Sequence, residues 1–142
     1  MIEFALCSTL LILFFLGTFQ FGFAFYQYNL LNSAVRGGVR YASLAKISNQ
    51  GNGILSSAYI LNVQNVVVYG TPTPTGSSTP IIPGLTAANV DVSIGVDARF
   101  VPLTVTVKIN TMTIDAIVKT FTITGKPVLQ MPFLGQYCPV GC

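Results

Sequence analysis

The sequence predicts an α+β protein in which a long N-terminal helix precedes a small antiparallel β-sheet domain. Three observations indicate this: an apolar run at the start, helical spacing that continues to about residue 46, and a two-residue period in the second half. We place the helix at residues 1–48 and the exposed β domain at residues 49–142. The 142 residues are 51% hydrophobic and only 8% charged, so part of the chain avoids water.

The predicted helix begins with an apolar run that contains no charged side chain between Glu3 and Arg36. About 20 apolar residues cross the roughly 30 Å core of a bilayer, and the run from Phe4 to Phe25 meets this length. The Asn and Gly residues of SNQGNG, from position 48, end the helical pattern. A helix of about 45 residues would be close to 70 Å long, so its apolar surface must meet lipid and then protein partners.

Small residues along this helix would let the helices of neighbouring copies approach closely. Alternatively, the glycines are tolerated and cost about 1 kcal/mol each. The predicted packing residues are Gly17, Gly22, Ala34, Gly37, Gly38 and Ala42.

Glu3 is a carboxylate at the edge of an apolar run, where burial is costly without a partner. We predict that it pairs with the N-terminal amine of Met1 in a neighbouring subunit; the alternative is a solvated charge at headgroup level. No basic residue precedes the apolar run, whereas Arg36 and Arg40 follow it. Because basic residues beside a membrane span favour the cytoplasmic side, this arrangement conflicts with an exported C-terminal domain. Removal of a basic leader before Met1 would resolve this conflict.

The second half alternates apolar and polar residues as half-buried strands do. Val90 to Val96 and Leu103 to Ile109 are the clearest segments, and residues 97–102 suit a hairpin connection. VVVYG (66–70) and FTITG (121–125) are predicted as two further strands. The tail from Gly125 onward is apolar and rich in proline, which predicts a strap over the sheet or over a neighbouring subunit.

Residues 71–84 are rich in Pro, Thr and Ser and predict an exposed, extended loop. Its hydroxyls are candidate sites for O-linked sugars, and the alternative is an unmodified linker. The candidates are Thr71, Thr73, Thr75, Ser77, Ser78 and Thr79.

Three cysteines are present, and two of them close the chain as CPVGC. The separation of Cys138 and Cys142 suits a small terminal disulfide ring in an oxidising compartment, although two free thiols or half of a metal site are alternatives. Cys7 lies in the apolar run and is expected to be a small buried apolar residue.

Few groups are available for chemistry, because the chain has no histidine and only four acidic residues. Asp91, Asp97 and Asp115 could line a cation site, but solvated charges on alternating strands explain them more simply. The net charge of +3 is dispersed, which does not suit nucleic-acid binding. We therefore predict no enzyme activity, no catalytic or metal site and no cofactor.

The N-terminal third resembles the TadE-like pilins of tight-adherence systems. Glu3, Phe4, Ala5 and Leu6 match the start of the family pattern. A later stretch matches at Ala34, Arg36, Gly38, Arg40, Tyr41 and Ala42. The chain differs in having Glu3 where type IV pilins place the acid at the fifth mature position, and Cys7-Ser8 where a proline is common.

The resemblance implies cleavage of a leader by a prepilin peptidase, extraction from the inner membrane by a secretion machine, and assembly into an extracellular fibre at the cell surface. We therefore expect a structural subunit that polymerises with copies of itself. The alternatives are a minor pseudopilin that primes or caps a fibre, and a single-pass membrane-anchored binding module.

Overall fold

The computed structural model describes residues 2–48, 55–115 and 120–138 and confirms the α+β class. In chain order its elements are α1 (Ile2–Leu44), β1 (Ile47–Ser48), α2 (Ser57–Tyr69), a 3-10 turn (Ala87–Asn89), β2 (Val90–Val96), β3 (Pro102–Ile109), β4 (Thr111–Asp115), β5 (Thr120–Thr124), β6 (Val128–Pro132) and β7 (Tyr137–Cys138).

Helix α1 runs without interruption for 43 residues and ends at Leu44. This end lies two residues before the last position of the predicted helical spacing, about residue 46, and four before the boundary placed at residue 48. Only its C-terminal part, from Leu31, contains residues that are buried in the described chain. The buried residues of α1 are Leu31, Ala34, Val35, Gly38, Val39, Ala42 and Ser43, which recur at three- and four-residue spacing. No residue from 2 to 20 is buried, and we call this segment the N-terminal arm.

The prediction of a strand at VVVYG (66–70) is wrong. Residues 66–69 form the C-terminal end of helix α2, and Gly70 caps it. The Ser56 hydroxyl accepts a hydrogen bond from the Tyr59 N–H at 3.2 Å and caps the start of the helix. At the other end Gly70 adopts a left-handed conformation, with φ of 77°, and its N–H donates to the Val66 carbonyl. Burial of three consecutive valines against the core outweighs their preference for strands.

Strands β2, β3 and β6 form one antiparallel sheet in the order β2-β3-β6. The β2–β3 hairpin confirms the predicted pair, with Val92 opposite Val107. The predicted alternation of buried and exposed residues in β3 fails at Leu103, which is 56% exposed. The cause is a shift in the β2–β3 register between Gly95 and Val96.

The tail was predicted as a strap and instead completes this sheet, since β6 pairs with β3 along five residues. After β6, the Phe133 N–H donates to the Leu103 carbonyl and the Leu134 N–H donates to the Ser43 carbonyl, both at 2.9 Å. These bonds place the start of β3 beside the C-terminal end of α1. Strand β7 then pairs in parallel with β1.

Strands β4 and β5 form a separate two-stranded ribbon, which confirms the predicted FTITG strand. The described cross-strand pairs Met112–Ile123 and Ile114–Phe121 lie on one face. Threonines occupy the other face of the ribbon, with Thr111 opposite Thr124 and Thr113 opposite Thr122. The ribbon is therefore apolar on one side and hydroxylated on the other.

The core lies where the upper part of α1, helix α2 and the three-stranded sheet meet. Its fully covered members include Leu31, Val35, Val39, Val63, Val67, Val105, Val107 and Ile109. Residues 71–84 are not wholly extended as predicted. The Ile81 N–H donates to the Val68 carbonyl at 2.8 Å, and Ile82 is fully buried in the core.

Candidate assembly surface

The N-terminal arm presents an apolar surface that the rest of the described chain leaves uncovered. Ile2 and Phe4 are each 80% exposed, and Phe14 is 71% exposed. Other exposed large apolar side chains of the arm are Leu6, Leu10, Leu11, Ile12, Leu13, Phe15, Leu16 and Phe19. An apolar surface of this extent marks a site of contact with membrane or protein.

Among the described residues, one helix is long and apolar enough to cross a membrane, judged by its length and composition. It is α1, and its most apolar stretch of 18 residues has no part buried in the chain. The core helix of a soluble protein would be mostly buried, so α1 differs from such a helix.

Glu3 lies exposed in the first turn of α1. A carboxylate there is favoured by the partial positive charge of the helix N-terminus, whatever else it binds. The predicted partner, Met1, lies outside the described residues. Pairing between Glu3 and the amine of another copy therefore stays a prediction.

The six predicted packing residues divide into two sets. Ala34, Gly38 and Ala42 are buried and recur every four residues on one face of α1. A Cβ atom added to Gly38 would collide with the Val67 side chain of α2. Gly38 therefore packs against helix α2 of the same chain, and Ala34 and Ala42 are buried within the chain, where we had expected the helix of another copy.

Gly17, Gly22 and Gly37 form the second set and have open space where a Cβ atom would lie. None of the described residues requires glycine at these three positions. Close packing between copies stays a prediction for them. The arginines of the later motif, Arg36 and Arg40, are exposed and lie away from the small residues that meet α2.

A buried hydrogen bond links the two helices. The Tyr59 hydroxyl of α2 donates to the Ala42 carbonyl of α1 at 2.6 Å. This carbonyl belongs to the last turn of α1, whose carbonyl groups lack partners within the helix. Burial, with a smaller contribution from the charge that Tyr41 acquires on ionisation, raises the pKa of Tyr59 well above its ordinary value. No spacing of residues in the sequence predicts this contact.

The cysteine predictions have separate outcomes. Cys7 was expected to be buried, but it is exposed on the arm, which the described part of the chain does not cover. Cys142 and the side chain of Cys138 lie outside the described residues, so the terminal disulfide stays a prediction.

The aspartates have structural roles of their own. Asp91 forms an ion pair with Lys108 on the neighbouring strand at 3.0 Å, with both side chains about two-fifths exposed. Asp97 accepts the backbone N–H groups of Arg99 and Val101, each at 2.8 Å, in the β2–β3 turn. The side chain of Asp115 lies outside the part of the chain that the structure describes. Among the described residues, no three potential metal ligands cluster together.

The hydroxyls proposed for O-linked sugars lie at the surface, and all six are exposed except Ser78, which is half-buried. Thr75 and Ser78 shape a turn, because the Thr75 N–H donates to the Ser78 hydroxyl and the Ser78 N–H donates to the Thr75 carbonyl. Exposure leaves Thr71, Thr73 and Thr79 accessible, and their modification stays a prediction.

An apolar groove that the sequence did not reveal lies between α1 and the β4–β5 ribbon. Its volume is about 320 Å³, and its lining residues are Phe21, Ala24, Phe25, Tyr28, Ile114, Phe121 and Ile123. The Phe21 and Phe121 rings lie 6.4 Å apart between centroids, inclined at 39°. The ribbon therefore meets α1 just above the arm.

These features define a class of protein: a small α+β body carried on an exposed apolar helix. The model of one family, described as TadE-like protein, matches residues 1–40, which confirms the resemblance found in the sequence. No curated protein and no solved structure matches the chain.

The match over residues 1–40 suggests a pilus-associated protein with an apolar N-terminal helix, and the matched family is structural rather than catalytic. It implies involvement with a pilus assembly system. The match and the exposed arm are compatible with anchoring in a membrane, followed by presence in a surface filament.

Proposed function

We propose that this chain is a non-enzymatic structural subunit of an extracellular pilus-like filament, assembled through its apolar N-terminal helix. The observation that carries the proposal is the exposure of the whole N-terminal arm, residues 2–20, none of which is buried in the chain. Water would penalise this surface at about 25 cal/mol per Å² of apolar area, so it must be covered by lipid or by protein.

Copies of the same chain suit this surface after the protein leaves the membrane. A contact between the arm of one copy and a different face of the next is heterologous, and such contacts repeat into open helical assemblies. In the proposed filament the arms form the core, and the α+β bodies lie outside. A prepilin peptidase and a pilus secretion machine are the proposed processing and export partners.

Glu3 is proposed to guide docking by pairing with the amine of a neighbouring copy. In an apolar filament core an unpaired carboxylate would be costly, whereas a charge pair would offset much of that cost. The pairing would fix the axial position of each incoming subunit.

The test replaces Glu3 in the producing cells. Glu3→Gln keeps the shape and removes the charge, and Glu3→Asp is the matched control that keeps the charge. We expect Glu3→Gln to lower the number of filaments per cell at least tenfold while the membrane fraction retains the subunit, because a tenfold effect corresponds to only about 1.4 kcal/mol. Glu3→Asp should retain more filaments than Glu3→Gln. Equal filament numbers in the Glu3→Gln and unmodified strains would refute the docking role.

A further inference from the structure

We propose that the groove between α1 and the β4–β5 ribbon lies at the outer boundary of the membrane and holds an acyl chain of a phospholipid from the leaflet facing the body. This inference rests on the membrane-anchored stage of the proposed function. The occupant is identified by the level of the groove along α1, by its lining and by its continuity with the arm.

The position of the groove relative to the membrane follows from helix geometry. Glu3 carries the last charge before a long apolar stretch and belongs at one membrane boundary. At about 1.5 Å per residue, α1 rises about 27 Å from Glu3 to Phe21. The hydrocarbon core of a bilayer is about 30 Å thick, so Phe21 reaches the opposite boundary. The contact between Phe21 and Phe121 places the start of β5 at the same level.

The lining suits the upper part of an acyl chain. The groove is bounded by aromatic and aliphatic side chains from both elements, and among the described lining residues Tyr28 alone carries a polar group. Tyr26 and Tyr28 follow Phe21 on α1, and tyrosine is favoured at headgroup level because one end of its side chain is apolar and the other wet. On the outer face of the ribbon, exposed Thr113 and Thr122 present hydroxyls to the headgroup region.

The groove is also continuous with the surface that would contact lipid. Phe21 lines the groove and, on its other side, a shallow apolar depression of the arm with Leu10, Leu13, Phe14, Gly17 and Thr18. An acyl chain lying along the arm can therefore reach between helix and ribbon without crossing a charged side chain among the described lining residues.

The chain contains no tryptophan, so a single introduced tryptophan reports one position. The full chain would be reconstituted at a low protein-to-lipid ratio in phosphatidylcholine vesicles that carry bromine either high on the acyl chain or near its end. The reporter is Phe121→Trp. Phe14→Trp serves as the deep reference, since Phe14 lies about 17 Å along α1 from Glu3. Phe100→Trp in the exposed β2–β3 turn is the reference outside the membrane.

We expect the tryptophan of Phe121→Trp to lose more emission to bromine placed high on the chain than to bromine near its end. Phe14→Trp should show the opposite order, and Phe100→Trp should lose no emission to either lipid. Quenching of Phe14→Trp without quenching of Phe121→Trp would overturn the groove inference and leave the membrane anchor intact. Absence of quenching in both would overturn the anchored stage of the proposed function, and the groove inference with it.

A second pair of variants separates occupancy of the groove from mere proximity to lipid. In the Phe121→Trp background, Ala24→Phe fills the groove, and Gly22→Phe adds the same bulk at a position with open space around it. We expect Ala24→Phe to reduce the quenching and Gly22→Phe to leave it unchanged. Equal quenching in both variants would overturn the proposal. Emission that shifts with the protein-to-lipid ratio without lipid quenching would assign the groove to a second copy and also overturn it.

Discussion

At the scale of single residues, Gly37 and Gly38 show how two adjacent glycines can have opposite roles. Gly38 is buried where α1 crosses α2, and a Cβ atom there would collide with Val67. Gly37 is exposed and has open space around the same position. A glycine in a helix interior costs roughly 0.5–1 kcal/mol relative to alanine, so only close packing justifies Gly38.

We predict that Gly38→Ala lowers the free energy of unfolding by about 1–3 kcal/mol, because the two helices must separate to admit the methyl group. The matched variant Gly37→Ala should raise it by about 0.5–1 kcal/mol through helix propensity alone. Urea unfolding of the full chain in detergent micelles, followed by tyrosine circular dichroism, measures both changes. Equal effects of the two variants would contradict the close approach of α1 to α2.

Tyr59 provides a second residue-scale prediction. Tyr59→Phe removes the hydroxyl that donates to the Ala42 carbonyl and should cost about 1–2 kcal/mol of unfolding free energy. The same unfolding experiment measures this loss. A change below a few tenths of a kcal/mol would show that the bond does not stabilise the joint between the helices.

The contribution of Tyr59 should also depend on pH. Burial raises the pKa of Tyr59 in the folded chain above the ordinary value of 10.0. Its contribution is therefore fully present below pH 10 and is lost as the pH rises above that value, because the unfolded chain ionises first. Between pH 9 and pH 11, roughly one unit on either side of that ordinary value, the unmodified chain should lose more stability than Tyr59→Phe. Parallel pH curves would contradict this linkage.

At the scale of elements, helix α2 depends on its N-terminal cap. Ser56 caps the helix through the Tyr59 N–H, whereas the neighbouring Ser57 is exposed in the first turn. Ser56→Ala should cost about 1 kcal/mol of unfolding free energy, and Ser57→Ala should change it by less than about 0.5 kcal/mol. Thermal unfolding of the two variants side by side checks the difference, and a larger loss from Ser57→Ala would contradict the cap assignment.

The sequence predicted the elements in which buried residues recur at one regular spacing. The apolar spacing of α1 and the alternation in β2 and β3 sufficed for those elements, since each buries a single face against one core. Helix α2 was missed because three adjacent valines resemble a strand locally. Its actual period joins Tyr59, Val63 and Val67 at four-residue spacing, and only packing against α1 selects that face.

Other features depend on contacts between distant parts of the chain. The exposure of Leu103 follows from the register shift between β2 and β3, which no local pattern specified. The pairing of β6 with β3 joins segments about 25 residues apart, and the alternation within either segment does not select that partner. The arm was predictable because absence of charge over a long run is a local property. The groove was not, since it requires the ribbon to meet α1 about one hundred residues earlier in the chain.

At the scale of the whole molecule, α1 belongs to two environments. Its upper part, from Leu31, is a core helix of the body, and its arm has no partner within the described chain. The body therefore buries its own core, whereas the described residues leave the apolar surface of the arm uncovered. This division explains why a body with one modest core can tolerate a helix of 43 residues.

The same division assigns the two halves of the family motif different roles. Glu3 and the apolar residues of the arm after it are left uncovered by the part of the chain that the structure describes. Ala34, Gly38 and Ala42 are buried in the body, and Gly38 lies against α2. Substitutions in the first set should affect assembly, whereas substitutions in the second set should affect folding before assembly.

The measurement that tests the filament proposal most directly is electron microscopy of material sheared from the producing cells, with antibody labelling of this chain and mass spectrometry of the same fraction. The proposal predicts filaments labelled along their whole length, with this chain as their main protein. Label confined to filament ends would indicate a priming or capping subunit. Recovery of the chain only in the membrane fraction, with unlabelled filaments or none, would contradict the proposal that it builds the filament.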